Sequence, residues 1–188
     1  YGATISTCEK AAQWEWALDV LRQARGQAVE PNTVMCNSVI SAVGKGGRWD
    51  MALQMLQKMG DLGLQLDIIS FNAAMHGADK GRQWACTLQL LTCAENAALE
   101  PTEITYNAVI SAWGLGRHWH QVLNCLQTLR QENFRPSLIL YNCSMSSMAT
   151  CHQWAWALLF LREAVHLDGL VASTLTYNAA ISACEKGQ

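Results

Sequence analysis

Five tryptophans, Trp14, Trp49, Trp84, Trp119 and Trp154, stand 35 residues apart. Asn37, Asn72, Asn107 and Asn142 keep the same spacing, and Asn178 comes one residue late. One insertion therefore falls between Trp154 and Asn178, near His166 to Gly169. A fixed period of this length signals a tandem array of one supersecondary unit. The repeats run Thr33–Asp67, Ile68–Thr102, Glu103–Ser137 and Leu138–Ser173, with a partial repeat (1–32) before them and another (174–188) after them. Residues 1–188 read as a single repeat array. The start on Tyr1 without Met and the stop after "EKGQ" suggest a piece of a longer chain.

Each repeat predicts two helices. The first opens near "CNSVISAVGKGG", "FNAAMHGADKG", "YNAVISAWGLG", "YNCSMSSMATC" or "YNAAISACEKG", with apolar residues at helical spacing such as Val39, Ile40 and Val43. Gly follows at the C-terminal end, where a left-handed cap favours it. Trp then opens the second helix, as in "WDMALQMLQKMGDLG", and packing between repeats is the first role to expect of it. Pro31, Pro101 and Pro136 sit in the links and are expected to stop the second helices. Such a hairpin cannot bury its own apolar face, but stacked copies can. The expected fold is all-α: a right-handed α-solenoid of about ten helices in antiparallel pairs, with the first helices lining a concave surface.

Composition limits what the array can do. Hydrophobic residues make up 51% and charged residues 15%, as in a packed chain. No apolar run reaches the roughly 18 residues of a membrane span, so no membrane partner is expected. The eight Cys include no CxxC pair, so they read as small buried residues, neither a zinc site nor a disulfide framework. His118, His120 and His152 gather near two hairpin turns, yet there is no HExxH, paired carboxylate or Gly-rich phosphate loop. No catalytic residue, metal or cofactor is expected, and the chain does not read as an enzyme. The net charge of −2 is unfavourable for a nucleic-acid binder.

The period leaves two candidates. Tetratricopeptide repeats have about 34 residues and bind peptides in a groove, but their W-x2-L-G-x2-Y opening is missing here. The run "ITYNAVISAWGLGRHWHQVLNCLQTLRQENFRPS" instead resembles the pentatricopeptide repeat family. The shared markers are the "TYN" start, the Gly-containing turn, the Ala-Leu pair of "MALQML" and the closing Pro with one polar residue, and the resemblance covers the whole chain. Thr87 and Val122 depart from it where a small Ala is usual, and Ala172 where a Pro is usual. The resemblance implies binding of single-stranded RNA, one nucleotide per repeat, in a mitochondrion or chloroplast, for RNA processing, stability or translation. Protein partners of a full-length chain stay open. The alternative is a protein-binding scaffold that takes a peptide on the concave face.

The same resemblance assigns residues. The fifth residue of each repeat, Asn37, Asn72, Asn107, Asn142 or Asn178, would read a base edge; capping of the first helix is the simpler role for an Asn. The last residue, Asp67, Thr102, Ser137 or Ser173 (Asn32 in the leading partial repeat), would be the second specificity position; a turn residue in the link fits the same types. The second residue, Val34, Ile69, Ile104, Ile139 or Leu175, would sandwich bases; core packing at the repeat junction is the other role. Lys10, Lys45, Lys80 and Lys186 would contact phosphate; a cation near a helix C-terminus is also favourable by itself. Gly2 replaces the reading Asn, so its repeat is expected to hold at most the RNA backbone. The pairs Asn37/Asp67, Asn72/Thr102, Asn107/Ser137 and Asn142/Ser173 imply a preferred core of U, then C or U, then C, then C, read 5′ to 3′.

Overall fold

The structure, a computed structural model, describes residues 1–27, 29–131, 134–166 and 169–187. Among them are eleven α-helices and no strand. The first helices are α1 (Gly2–Lys10), α3 (Thr33–Lys45), α5 (Ile68–Lys80), α7 (Glu103–Leu115), α9 (Leu138–Thr150) and α11 (Thr174–Lys186). The second helices are α2 (Trp14–Gly26), α4 (Trp49–Asp61), α6 (Trp84–Asn96), α8 (Trp119–Gln131) and α10 (Trp154–His166). Each second helix thus opens on one of the periodic tryptophans, and the fold is the all-α helical repeat that the period predicts. Residues 167 and 168, within the expected insertion, lie outside the described residues, as does residue 188.

The chain divides into two compact blocks, Tyr1–Thr102 and Glu103–Gln188. Within the first block α1 stacks on α3 and α3 on α5; within the second α7 stacks on α9 and α9 on α11. Within a block, each second helix packs on its own first helix and on the first helix of the following repeat. The first helices of each block therefore form its tighter row. Ile5, Val39, Ile40, Val43 and Met75 are fully buried in the first block, and Ile110, Leu140, Tyr141, Met145 and Met148 in the second. Burying each such side chain contributes about 1.5–3 kcal/mol.

Close approach within this row requires small residues. A Cβ on Gly44 would lie 3.1 Å from the Gly77 Cα, and one on Gly114 would lie 2.6 Å from the Ser147 Cβ. Larger residues at these places would push neighbouring first helices apart.

The helix ends differ from expectation in two ways. The residues that end the first helices, Gly46 (φ −76°), Gly81 (φ −75°) and Gly187 (φ −90°), are not left-handed. In the turns that follow α1, α3, α5, α7 and α9 the left-handed residue comes one position later, at Ala12, Gly47, Arg82, Arg117 and His152. The next N–H then closes a six-residue loop back to the helix, as in Arg48 N–H to Val43 O (3.1 Å) and Gln83 N–H to Ala78 O (2.8 Å). The cap glycines serve the tryptophans instead. A Cβ on Gly46 would sit 2.3 Å from Trp14 Cδ1, on Gly81 2.4 Å from Trp49 Cδ1, and on Gly187 2.5 Å from Trp154 Cδ1. Each of these Trp rings therefore lies flush on the turn of the following repeat. Where Cys151 replaces the cap glycine, the Trp119 ring instead stacks on His120, with centroids 3.4 Å apart.

The second correction concerns proline. α4 and α10 end at the same place in the repeat as α2, α6 and α8, although Leu66 and Ala172 occupy the link where Pro31, Pro101 and Pro136 stand elsewhere. Loops closed by i to i−5 bonds end α2, α4, α6 and α8, for example Leu64 N–H to Met59 O at 3.0 Å and Leu99 N–H to Ala94 O at 3.1 Å, and α10 is closed by an i to i−6 bond from Leu170 N–H to Ala164 O at 2.9 Å. The cysteines are all free, but only Cys36 is buried; Cys93 is exposed and the rest are half-buried. Among the described residues no cluster could hold a metal ion, and no helix is long and apolar enough to cross a membrane.

Candidate functional site

Three positions of each repeat meet at the start of the first helices. Asn32, Asp67, Ser137 and Ser173, each the last residue of a repeat, are the N-caps of the helices that follow. Asn32 accepts from Met35 N–H (2.9 Å), Asp67 from Ser70 N–H (2.8 Å), Ser137 from Ile139 and Leu140 N–H (3.2 and 3.4 Å), and Ser173 from Thr176 N–H (3.4 Å). The capping role thus falls to the last residues, and the fifth residues stand a full turn inside the helix. Asn37 and Asn72 are 9% exposed, Asn107 and Asn142 are half-buried, and Asn178 is exposed. Asn is a poor helix former at such a position, since its side chain competes for backbone hydrogen bonds.

The first block closes both of its expected pairs. Asn37 Nδ2 donates to Asp67 Oδ1 at 3.1 Å and to Oδ2 at 3.4 Å, and Asn72 Nδ2 donates to Thr102 Oγ1 at 3.1 Å. Burial acts against the charge on Asp67. The Ser70 N–H, the Ser70 hydroxyl, the Asn37 amide and the Ile69 N–H outweigh it and hold the carboxyl below its ordinary pKa. Asp67 is therefore an anion that fixes which end of the Asn37 amide faces inward.

The second block closes neither pair. The Ser137 hydroxyl donates to Glu103, the first residue of its own repeat. The Ser173 hydroxyl is engaged with Thr176 Oγ1 at 3.1 Å. Asn107 Oδ1 and Asn142 Oδ1 are both buried without a hydrogen-bond partner. Residue type alone does not warn of this, because Ser137 and Ser173 are suitable partners in type; a Glu opening only the repeat at 103 is the available signal.

The second residues all face outward. Val34, Ile69, Ile104, Ile139 and Leu175 are 71, 61, 65, 67 and 71% exposed. Core packing is thereby excluded for most of each side chain, and an aliphatic residue flanks each Asn. Of the lysines, Lys10, Lys80 and Lys186 are exposed, and Lys80 Nζ donates to the Lys45 carbonyl at 3.2 Å. Lys45 is half-buried and pairs with Glu9 Oε1 at 3.0 Å, an oxygen that also accepts from the Ser41 hydroxyl at 2.8 Å. Burial raises the Glu9 pKa, but the bonds from Ser41, Lys45 and Ser38 outweigh this and hold it below its ordinary value. Lys45 is thus partly neutralised, which inspection of the lysines alone does not reveal. Gly2 begins α1, is exposed, and has only Met35 Cγ near its missing Cβ, at 3.9 Å.

An array of helical hairpins that sets one polar amide and one exposed aliphatic residue per repeat on its first helices belongs to the α-helical repeat class. Residues 31–79 match the PPR repeat family. No curated protein matches the chain. Among solved structures it resembles the pentatricopeptide repeat protein PPR10 from maize, with 22% identity and a TM-score of 0.78 over 97% of this chain and 26% of that one. It also resembles PPR10 in complex with an 18-nt psaJ RNA element, with 19% identity and a TM-score of 0.80 over 100% of this chain and 27% of that one. A third likeness is to nuclear proteinaceous RNase P 2 (PRORP2) from A. thaliana, with 10% identity and a TM-score of 0.73 over 97% of this chain and 40% of that one. At these identities the likeness is one of fold, and the chain spans about a quarter of the maize protein's length. The chain is thus an α-helical repeat array in which residues 31–79 match the PPR repeat family and which shares its fold with these structures.

Proposed function

We propose that the chain binds single-stranded RNA, with each repeat reading one nucleotide through its fifth and last residues, as a sequence-selective module serving organellar RNA processing, stability or translation. The observation that carries this reading is the placement of Asn37 and Asn72. Each is an amide set inside a helix at a cost to that helix, held by the last residue of its own repeat, and flanked by exposed aliphatic side chains. An amide offers a donor and an acceptor to a base edge. Outward Val34, Ile69, Ile104, Ile139 and Leu175 would form walls between which bases lie. Stacking on aromatic residues contributes about 1–3 kcal/mol per base, and aliphatic walls contribute less. PPR10, similar in fold, has been solved with an RNA element.

In the proposed code, the Asn37/Asp67 repeat selects U, Asn72/Thr102 takes C or U, and the Asn107/Ser137 and Asn142/Ser173 repeats lean to C. Lys10, Lys80 and Lys186, which make no ion pair among the described residues, would meet phosphate, while Lys45 is held by Glu9. With a net charge of −2, affinity should depend only weakly on salt. Filter binding of the chain to a pyrimidine-rich single strand, with poly(A) and a scrambled-sequence protein as controls, tests the reading. Preference for the pyrimidine strand supports it. Equal retention of both strands refutes it and brings forward a peptide-binding scaffold.

A further inference from the structure

The third residue of the following repeat also touches the reading amide. Ser70 is fully buried, and its hydroxyl lies 2.6 Å from Asn37 Oδ1 and 2.8 Å from Asp67 Oδ1. The Asn37 amide is therefore gripped at both ends, its NH2 by the carboxylate and its carbonyl by the hydroxyl. A rotation that exchanged the two ends would set the carbonyl against the Asp67 anion and lose the hydroxyl bond to the carbonyl, so the carboxylate sets the order and the Ser70 hydroxyl adds to it.

Leu140 occupies the equivalent place for Asn107, and it is fully buried. It has no hydroxyl to offer. Because Ser137 donates to Glu103, the Asn107 amide is gripped at neither end, and its Oδ1 is buried without a partner. Neither Ser137 nor Leu140 therefore distinguishes NH2 from carbonyl at this amide.

We propose that Ser70, the third residue of the following repeat, is a positioning residue for base selection: it reinforces the donor–acceptor order that Asp67 sets in the Asn37 amide, whereas Leu140 leaves the Asn107 amide free to present either. This rests on the RNA-reading function proposed above. Its consequence is that the Asn37 repeat discriminates between U and C, whereas the Asn107 repeat accepts both. A code written only in fifth and last residues overlooks this difference, because it assigns Asn107/Ser137 to C.

The test measures competition binding of the chain to pyrimidine strands in which one base at a time is U or C. The base whose preference responds to Asp67→Ser marks the Asn37 repeat. Wild type should favour one pyrimidine there by about fivefold, on the order of the lower end of a mismatch cost. Ser70→Ala keeps the Ser70 N–H bond that caps α5 but removes the hydroxyl. It should lower that ratio to about twofold, the part that Asp67 alone sustains, while other bases keep theirs, and Ser70→Thr should restore it. At the base two positions further 3′, wild type should bind U and C within about twofold. An unchanged ratio in Ser70→Ala, or an equal loss of affinity for every strand, overturns the positioning role while leaving RNA reading in place. A wild type that shows no preference at any base defeats the RNA reading itself and this inference with it.

Discussion

Asn37 and Asp67 are thirty residues apart in the chain, yet the Asn37 amide donates to the Asp67 carboxylate at 3.1 Å across the top of a helical hairpin. One residue thus holds a helix cap and an amide together. Asp67 receives the Ser70 N–H at the start of α5 and fixes Asn37 in α3. The two duties separate by substitution. Asp67→Ala removes the cap and should cost about 1 kcal/mol of stability. Asp67→Ser keeps a capping hydroxyl, as Ser137 and Ser173 do in this array, and should cost only a few tenths. Chemical denaturation of both variants checks the difference.

Acid should reveal the same group. The folded pKa of Asp67 lies below its ordinary value, because the bonds from Ser70, Asn37 and Ile69 outweigh burial. A depressed folded value means that the contribution is complete above the unfolded pKa of about 3.9 and is lost as pH falls through the folded one. The melting-temperature gap between wild type and Asp67→Ala should hold from pH 7 to about pH 5. It should close below about pH 4, and a gap that persisted into strong acid would place the stabilisation elsewhere.

The turns make opposite predictions at neighbouring positions. Gly46→Ala would drive a Cβ to 2.3 Å from Trp14 Cδ1 and displace the ring, at a cost of about 1–3 kcal/mol. Arg82 holds a left-handed φ of 54°, which costs a side-chain-bearing residue about 1–2 kcal/mol. Arg82→Gly should therefore stabilise the protein modestly. Thermal denaturation of the two variants should move in opposite directions.

Two neighbouring apolar residues on α5 should behave differently. Phe71 is 4% exposed, and Phe71→Ala should cost about 3–5 kcal/mol. Ile69 is 61% exposed, and Ile69→Ala should change stability by about 0.5 kcal/mol or less. If Ile69 is a wall for a base, the same change should still weaken pyrimidine-strand binding severalfold. Parallel denaturation and filter binding separate the two effects.

Much of this architecture was legible in the sequence because the period aligned every repeat against the others. Trp14, Trp49, Trp84, Trp119 and Trp154 marked the second helices to the residue. What period could not reveal was the division of labour within a turn. Gly46 and Gly81 look like left-handed caps, but whether a glycine serves a dihedral angle or a neighbouring ring depends on the next repeat in space. Pro31, Pro101 and Pro136 look like helix stops, yet Leu66 and Ala172 show that the turn closes without them. The candidate site was legible by position and not by partner. The fifth residues are amides throughout, but Glu103 diverts the Ser137 hydroxyl and Leu140 withholds another, and both effects arise between side chains more than thirty residues apart. The Glu9–Lys45 pair was hidden for the same reason.

The reading of bases by paired fifth and last residues is tested by exchanging one last residue and varying one base. Wild type and Asp67→Ser should be compared against pyrimidine strands that differ only at the first base of the core, with the other three held constant. Wild type should prefer U there by about fivefold, and Asp67→Ser should shift that preference towards C while leaving preferences at the other bases as they were. A preference that stayed on U, or one that changed at every base together, would contradict a one-base-per-repeat code centred on Asn37 and Asp67.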